Sequence, residues 1–305
     1  MNKLNRNMMH VLKRDYWLLI FCIPAIVYMA TFNYAPIWGL QIAFKKFSLS
    51  RGIWGSKWIG FANFARYFNS AYFGRTFGNT LLLSLLQVFI GFPVPIILAL
   101  MLNQVGNMGF KRTAQTITYA PHFISVVVMA GMIRLFLSPS VGVVNNVIRS
   151  FGGEAVFFLA KPAFFRWIYV LSGIWQNAGW GMIIFLAAIS SIDPTLYEAA
   201  VVDGASRLQR IIHIDVPSIL PTIVIVLVLR LGRLMNIGWQ KAYLLQNPLN
   251  LEASELIQTY VYKVGILQGE YHYSAAIGLF NSIINLVLIL SVNQIAKKLR
   301  QETLI

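Results

Sequence analysis

Residues 198–217 read EAAVVDGASRLQRIIHIDVP and form a polar segment between two strongly apolar stretches. Residues 197–202 contain good helix formers, and Gly204 can turn the backbone without a Cβ clash. From Ser206 onward, apolar and basic residues return with helical spacing on different faces. The segment therefore predicts a short helix, a glycine bend and a second helix, held at a membrane surface and accessible to a soluble partner.

The composition of the whole chain indicates an all-α integral membrane protein. Of its 305 residues, 57% are hydrophobic and 11% are charged, whereas a soluble protein has about 25% charged residues. The mean hydropathy is +0.65. The net charge of +15 is scattered between apolar blocks and forms no stripe. Attraction to anionic lipid headgroups therefore explains the charge better than nucleic-acid binding does.

The apolar runs predict six membrane spans, because crossing a bilayer takes about 20 apolar residues. The predicted spans are residues 17–44, 77–102, 116–137, 167–189, 219–239 and 274–295. The first follows a basic start with Lys3, Arg6, Lys13 and Arg14. It is too long for a signal peptide. We therefore treat residues 1–305 as a single membrane domain.

Two segments between the spans have helical patterns. Residues 143–150 predict a short helix in the loop between the third and fourth spans. Residues 255–262 are amphipathic and predict a helix that lies on the membrane surface.

Several kinds of chemistry are disfavoured by the residues. The single cysteine, Cys22, excludes an internal disulfide. The four histidines do not have the spacing of metal ligands; they are His10, His122, His213 and His272. No phosphate-binding loop of the G-x-x-x-x-G-K-S/T type occurs, so ATP hydrolysis must come from another chain. The sequence lacks the motifs of a membrane-embedded enzyme. An ion-coupled secondary carrier would need carboxylates in its spans, and the predicted spans have almost none.

The segment 198–217 resembles the EAA loop of binding-protein-dependent ABC importer permeases. The likeness rests on E-A-A, then D-G-A, then Ile214 and Pro217. It implies a six-span type I importer bundle in which residues 193–217 dock into a cleft of a cytoplasmic ATPase, with Glu198 as the charged anchor. The resemblance implies ATPase coupling by Glu198, Ala199, Ala200, Asp203, Gly204, Ala205, Arg207, Arg210 and Pro217.

The resemblance also implies the remaining parts of a transporter. Such importers have a second homologous permease, two ATPase subunits that hold ATP and Mg²⁺, and an extracellular solute-binding protein. This chain would then be a transport subunit without enzyme activity or a cofactor of its own. Lysines and arginines divide evenly between the two sets of loops, so charge does not decide the orientation. The coupling loop must face the ATPase, which implies a multi-pass cell-membrane protein with both termini cytoplasmic.

Weaker likenesses narrow the cargo. Residues 34–36 with Gly39, residues 43–45, 173–181 and 246–250 resemble permeases that import oligosaccharides cut from plant or microbial polysaccharides. The likeness covers nearly the whole chain and implies oligosaccharide import by alternating access. An importer of a non-sugar cargo, such as an amino acid or a metal chelate, remains the main alternative, and an ion-coupled carrier is a more distant one.

The fourth span contains the first candidate for the cargo path. Two amides and two tryptophans lie close together there, which is costly in a membrane unless they meet water or a ligand. By resemblance to maltose-type permeases, the substrate contacts fall at Gly173, Gln176, Asn177 and Trp180. The alternative is a helix-packing face with an interfacial tryptophan.

The fifth span contains the second candidate. Arg230, Arg233 and Asn236 are spaced by three, so they share one broad helix face, and Trp239 follows them. Each arginine near the bilayer centre costs about 2.5–3.5 kcal/mol, so neither can face lipid. Arginine matches a carboxylate with two parallel hydrogen bonds. We therefore predict contacts with an anionic, uronate-containing oligosaccharide, the alternative being bonds to backbone carbonyls or to the partner permease.

Other polar residues of the spans have structural interpretations. Arg134 lies near a span end and is expected to extend its head group to the interface. Asn281, Ser282 and Asn285 form a polar face of the last span, for which we predict hydrogen bonds between helices.

Overall fold

The computed structural model describes residues 16–298, and most of them are helical. The basic start and the end of the tail lie outside the described residues. The helices are α1 (Tyr16–Met29), α2 (Gly52–Gly55), α3 (Ala62–Phe68), α4 (Ala71–Leu86), α5 (Pro93–Asn103), α6 (Met108–Tyr119), α7 (Val126–Phe136), α8 (Val143–Ser150), α9 (Pro162–Ser190), α10 (Pro194–Val202), α11 (Arg207–Arg210), α12 (Val216–Leu231), α13 (Trp239–Leu245), α14 (Leu251–Ser254), α15 (Ile257–Tyr262) and α16 (Tyr271–Lys298). Strands β1 (Lys45–Lys46) and β2 (Lys57–Trp58) pair antiparallel in a small hairpin.

Short 3₁₀ and π-helical turns join several of these helices into longer rods. They are Ala30–Tyr34, Ala35–Phe44, Gln87–Gly91, Ala120–Phe123, Phe158–Ala160, Ile211–Asp215 and Lys263–Leu267. Among the described residues, five resulting helices are long and apolar enough to cross a membrane: Ile20–Phe44, Ala71–Asn103, Pro162–Ser190, Arg207–Leu231 and Tyr271–Gln294. A bent pair, Met108–Phe123 with Val126–Phe136, makes a sixth if it is counted as one span. The fold is an all-helical membrane bundle, as the composition predicts.

Helix α9 is the centre of the bundle. Pro162 lies in its first turn, where the missing backbone N–H costs nothing. After α9 ends, Asp193 caps α10 by accepting a hydrogen bond from the Thr195 backbone N–H. Helix α9 contacts α5, α6, α12 and α14. Its buried side chains include Tyr169 and Phe185, which belong to two separate apolar clusters.

The third span differs from its predicted form as one continuous span. Helices α6 and α7 meet at an angle of 98°. Pro121 follows the end of α6, and Ser125 caps α7 by accepting from the Val128 backbone N–H. Ile124 lies in the bend between the two helices, and Gln176 Nε2 donates a hydrogen bond to its carbonyl oxygen at 2.8 Å. A side chain of α9 therefore stabilises the break.

The fifth span is shorter than predicted. Helix α12 ends at Leu231, so the expectation that Arg230, Arg233 and Asn236 share one helix face is wrong. The chain continues in tight turns to α13. Two neighbouring helices supply hydrogen bonds to the backbone of these turns. Ser84 Oγ of α4 donates to the Leu234 carbonyl at 2.5 Å, and Asn285 Oδ1 of α16 accepts from the Met235 N–H at 3.1 Å.

The last span makes the interhelical hydrogen bonds predicted for its polar face. Besides the bond of Asn285, Asn281 Nδ2 donates to Asn236 Oδ1 at 3.2 Å. Ser282 instead bonds to a carbonyl of its own helix. The asparagines therefore hold the irregular segment after α12 against α16.

Residues 255–262 do not lie on the surface, so that prediction is wrong. Leu256, Ile257 and Thr259 are almost completely buried. Thr80 of α4 accepts a hydrogen bond from the Ile257 backbone N–H at 3.0 Å, and α16 contacts the other side of α15. The polar face is buried as well, because Glu255 pairs with Lys263 at 2.7 Å and accepts from Thr259.

The short helix predicted at residues 143–150 is confirmed as α8, and Asn145 fixes it to the surrounding loop. Asn145 is fully buried. Its Nδ2 donates to the carbonyls of Ser138 and Val156, each at 3.0 Å, and its Oδ1 accepts from the Val156 N–H at 2.7 Å. One amide therefore closes the loop between α7 and α9.

We predict that Asn145→Ala lowers the free energy of unfolding by about 1–3 kcal/mol, because buried backbone groups lose their partner. The measurement is thermal unfolding of the purified transporter, together with limited proteolysis of residues 138–161. Asn146→Ala is the matched control, since Asn146 is the next residue and is exposed. Equal effects of the two substitutions would contradict the role given to Asn145.

Candidate functional site

A cavity of about 900 Å³ lies between α5, α9, the bend of the third span and the end of α12. Its basic lining residues are His122, Arg230, Arg233 and Lys241, and no aspartate or glutamate of the described residues lines it. Apolar side chains such as Phe92 and Phe185 supply much of the remaining wall. The cavity therefore combines a positive electrostatic character with an apolar wall.

The polar stretch of α9 borders this cavity. Gly173, Gln176 and Asn177 line it, whereas Trp180 does not. Asn177 Nδ2 donates to the Gly173 carbonyl at 3.0 Å, and Asn177 Oδ1 lies 3.2 Å from His122 Nδ1. Trp180 stacks on the His122 ring with the centroids 4.6 Å apart and the planes nearly parallel. Trp180 thus packs against the His122 ring without lining the cavity itself.

The same stretch also packs against the third span. A Cβ at Gly179 would lie 2.0 Å from the Thr118 carbonyl oxygen, so only glycine permits this close approach of α6. The stretch therefore has two faces, one toward the cavity and one against α6. The position of Gly173, Gln176 and Asn177 agrees with the cargo-path prediction, whereas that of Gly179 agrees with the helix-packing alternative.

Arg230 and Arg233 both line the cavity, although α12 ends between them. The Arg230 guanidinium lies 5.8 Å from the centre of the Phe92 ring. Within residues 16–298, the ion pairs are Arg66 with Glu270 and Lys263 with Glu255, and neither includes these arginines. Their charge therefore faces the cavity without a carboxylate from the described chain.

The other two candidates of this region lie elsewhere. Asn236 accepts hydrogen bonds from Gln258 at 2.6 Å and from Asn281 at 3.2 Å. Trp239 packs against Tyr262, with ring centroids 5.1 Å apart. Neither residue lines the cavity, because the side chains of both contact other parts of the bundle.

Sequence reasoning missed two cavity residues, His122 and Lys241. His122 follows Pro121 in the bend of the third span, and this proline was a usable signal for a break there. Lys241 reaches the cavity because α13 folds back against α9. No local pattern indicates this position, since it depends on where α12 ends.

Residues 193–217, the predicted coupling segment, have the predicted helix, bend and helix. Gly204 has φ +76° between α10 and α11, a conformation that glycine adopts without strain. The Ala205 N–H donates to the Ala200 carbonyl at 2.8 Å and closes α10. Ser206 and Gln209 cap α11 reciprocally.

Most of the residues assigned to ATPase coupling are accessible. The exposed ones are Glu198, Ala199, Asp203, Gly204, Arg207 and Pro217, and the partly exposed ones are Ala200, Ala205 and Arg210. Apolar side chains accompany them: Val202 is 85% exposed and Leu208 is 64% exposed. The segment thus presents a mixed polar and apolar surface.

A buried aspartate fastens the coupling segment to the bundle. Asp215 is completely buried just before α12 and accepts hydrogen bonds from the Tyr197 hydroxyl and, at 3.1 Å, from Gln104 Nε2. Burial, and then the neighbouring Asp215 carboxylate, raise the pKa of Tyr197 above its ordinary value. Tyr197 therefore stays protonated and donates a hydrogen bond to the Asp215 carboxylate.

Comparison with known proteins identifies the family. Residues 91–301, more than half of the chain, match the family described as binding-protein-dependent transport system inner membrane component. The chain belongs to this family. The permease is 44% identical to Protein LplB of Bacillus subtilis, covering 97% of this chain and 93% of the relative. It is 41% identical to the polygalacturonan/rhamnogalacturonan transport system permease protein YteP of the same organism, covering 98% and 93%.

Solved structures agree with the family assignment. The permease superposes with a TM-score of 0.90 and 43% identity on a chain of a bacterial ABC transporter involved in the import of the acidic polysaccharide alginate, covering 96% of this chain and 99% of the other. A second match, at TM-score 0.89, 43% identity and 96% and 98% coverage, is a bacterial alginate ABC transporter in complex with an alginate pentasaccharide-bound periplasmic protein. The permease is thus a multi-pass membrane subunit of a binding-protein-dependent ABC importer.

We predict that Tyr197→Phe partly uncouples the importer, because the buried Asp215 carboxylate loses one donor and the coupling helix loses its tie to α12. ATP hydrolysis should persist, while cargo transported per ATP falls severalfold. Both quantities are measured in proteoliposomes. Tyr34→Phe, at an exposed tyrosine, is the control. An unchanged ratio of transport to hydrolysis would show that the hydroxyl does not couple the two.

Proposed function

We propose that the permease carries anionic, uronate-containing oligosaccharides from an external binding protein into the cytoplasm. The observation that carries this proposal is the cavity, which combines Arg230, Arg233 and Lys241 with a lining free of carboxylates. Its volume of about 900 Å³ lies at the upper end of the range of about 300–1,000 Å³ that is typical of ligand sites. A short oligosaccharide segment fits this space.

The energetics of the arginines favour an anionic cargo. Charged side chains in a span normally pair or line a water-filled path. A carboxylate in the cavity would provide the missing countercharge through bidentate hydrogen bonds. The structural alternative for Arg230 is a contact with the partner permease, and it predicts equal transport defects for neutral and acidic cargo.

The relatives support the carbohydrate part of the proposal. One related permease is described as serving polygalacturonan/rhamnogalacturonan transport, and a matching transporter as importing an acidic polysaccharide. The non-sugar cargo considered from the sequence has no comparable support. His122 and the amide of Asn177 add groups that can face sugar rings and hydroxyls at the cavity wall.

The assembly we infer contains a second homologous permease and two ATPase subunits that hold ATP and Mg²⁺. The exposed surface of residues 193–217 supports docking to an ATPase, because Val202 and Leu208 need an apolar partner. Docking on the cytoplasmic side places both termini in the cytoplasm. ATP binding and hydrolysis on the partner subunits would then drive alternating access, and this chain would have no catalytic role.

We predict that Arg230→Gln combined with Arg233→Gln lowers transport of a uronate oligosaccharide at least about tenfold, because each charge-assisted hydrogen bond contributes about 1.5–3 kcal/mol. Transport of the carboxyl-reduced, neutral oligosaccharide should change much less. The measurement is cargo uptake and cargo-stimulated ATP hydrolysis in proteoliposomes with saturated binding protein.

The control for this experiment is Arg51→Gln, at an exposed arginine in the turn before α2. Normal transport of acidic cargo by the double variant would refute a cargo-binding role for the two arginines. Stimulation of the unaltered transporter by neutral oligosaccharides alone would refute an acidic cargo and leave the importer assignment intact.

A further inference from the structure

Lys241 contributes to the positive charge of the cavity, but the preceding account assigns it no contact of its own with the cargo. It lies on α13, outside the spans, and only 6% of it is exposed. Its Nζ donates to the Tyr169 carbonyl of α9 at 2.7 Å and to Ser172 Oγ at 3.3 Å, and it lies 4.1 Å from the centre of the Tyr169 ring. The ammonium is therefore held at a fixed place in the cavity wall.

This ammonium has no carboxylate partner in the part of the chain that the structure describes. A buried charge without a counterion is strongly disfavoured. Burial accordingly lowers the pKa of Lys241 to about 7. A neutral donor would bond the Tyr169 carbonyl at less cost, so the contacts within the chain do not account for a lysine here.

The surroundings leave room for a ligand beside the ammonium. An ammonium has three N–H donors, and two acceptors are provided by Tyr169 and Ser172. Gly173 lies next to it: a Cβ at this position would come within 2.9 Å of Lys241 Nζ and 3.7 Å of Gln87 Nε2. The missing side chain thus lets the ammonium lie close against the α9 backbone with the Gln87 amide nearby. All three residues line the cavity, which is the space that a ligand would occupy.

We propose that Lys241 and Gln87, beside Gly173 in the cavity wall, form a carboxylate-binding subsite that selects acidic over neutral sugar units. The inference rests on the proposed function and assigns one uronate carboxylate to this place, separate from those at Arg230 and Arg233. The carboxylate accepts from the remaining ammonium N–H and from the Gln87 amide. It thereby supplies the countercharge that the described chain lacks.

Proton uptake accompanies binding at this subsite. A carboxylate prefers the charged lysine, so acidic cargo is held more tightly as the pH falls through about 7. The other charged and titratable groups on α13, on the helices that contact it or in the cavity lining are His122, Arg134, Arg166, Tyr169, Arg230, Arg233, Tyr243, Glu252, Tyr260 and Tyr262. Because His122 also lines the cavity, pH profiles are best compared in a His122→Gln background.

The test uses the complete transporter in proteoliposomes with binding protein saturated by cargo. Lys241→Gln should lower uptake of a uronate oligosaccharide about tenfold and leave uptake of its carboxyl-reduced counterpart nearly unchanged. In the His122→Gln background, acidic uptake should decline between pH 6 and about 8.5 with Lys241 present and become flat with Lys241→Gln. The same binding protein serves all variants, so its own pH dependence cancels in the comparison.

Two further variants separate binding from support of the fold. Lys241→Arg keeps the charge at every pH and should restore part of the preference for acidic cargo without the pH dependence. Gly173→Ala keeps the lysine but displaces its ammonium from this place, and should also reduce acidic uptake selectively. It provides a second measurement if Lys241→Gln does not assemble, since its Cβ meets only the ends of flexible side chains.

The outcomes distinguish this inference from the proposed function. If the unaltered transporter does not import acidic oligosaccharides, the proposed function fails. If it does, and Lys241→Gln and Gly173→Ala import them normally or lose acidic and neutral uptake equally, only the subsite is refuted.

Discussion

The cavity depends on two helix breaks whose backbone groups are hydrogen-bonded by neighbouring helices. Irregular backbone at membrane depth is tolerated only where it is buried in protein or lines a cavity. Gln176 bonds the Ile124 carbonyl at the first break, and Asn285 bonds the Met235 N–H at the second. Each break therefore needs a polar residue from another span. These amides are part of the architecture as well as of the polar interior.

The breaks also determine where the positive charges lie. Because α12 ends at Leu231, the following chain turns Arg233 into the cavity and allows α13 to fold back, which brings Lys241 to the same space. In a continuous helix Lys241 would lie ten residues after Leu231, about 15 Å further along the axis. The electrostatic character of the cavity is thus a consequence of backbone geometry more than of composition.

Local sequence signals predicted much of this fold. Long apolar runs indicated the spans, and Gly204 followed by Ser206 indicated the bend and second helix of the coupling segment, because these signals act through neighbouring residues. The end of α12 was not predicted, although Gly232 directly follows Leu231, because the spacing of Arg230, Arg233 and Asn236 suggested a continuing helix and the stabilising partner, Asn285, is remote in sequence. Asn236 and Trp239 were predicted to lie in the cargo path because the fifth span was expected to continue as a helix past Leu231.

Helix α12 connects the two functional regions. Its first turn follows Asp215, which Tyr197 holds against the coupling segment, and its last turn carries Arg230. Sixteen residues at 1.5 Å per residue give a length of about 24 Å. If residues 193–217 couple to an ATPase as proposed, movement of this segment along the axis of α12 would shift Arg230 relative to α9, where Lys241 is anchored. Under the proposed function, separating these cations would weaken a shared hold on an anionic cargo and would relate the nucleotide state of the proposed ATPase partner to cargo release.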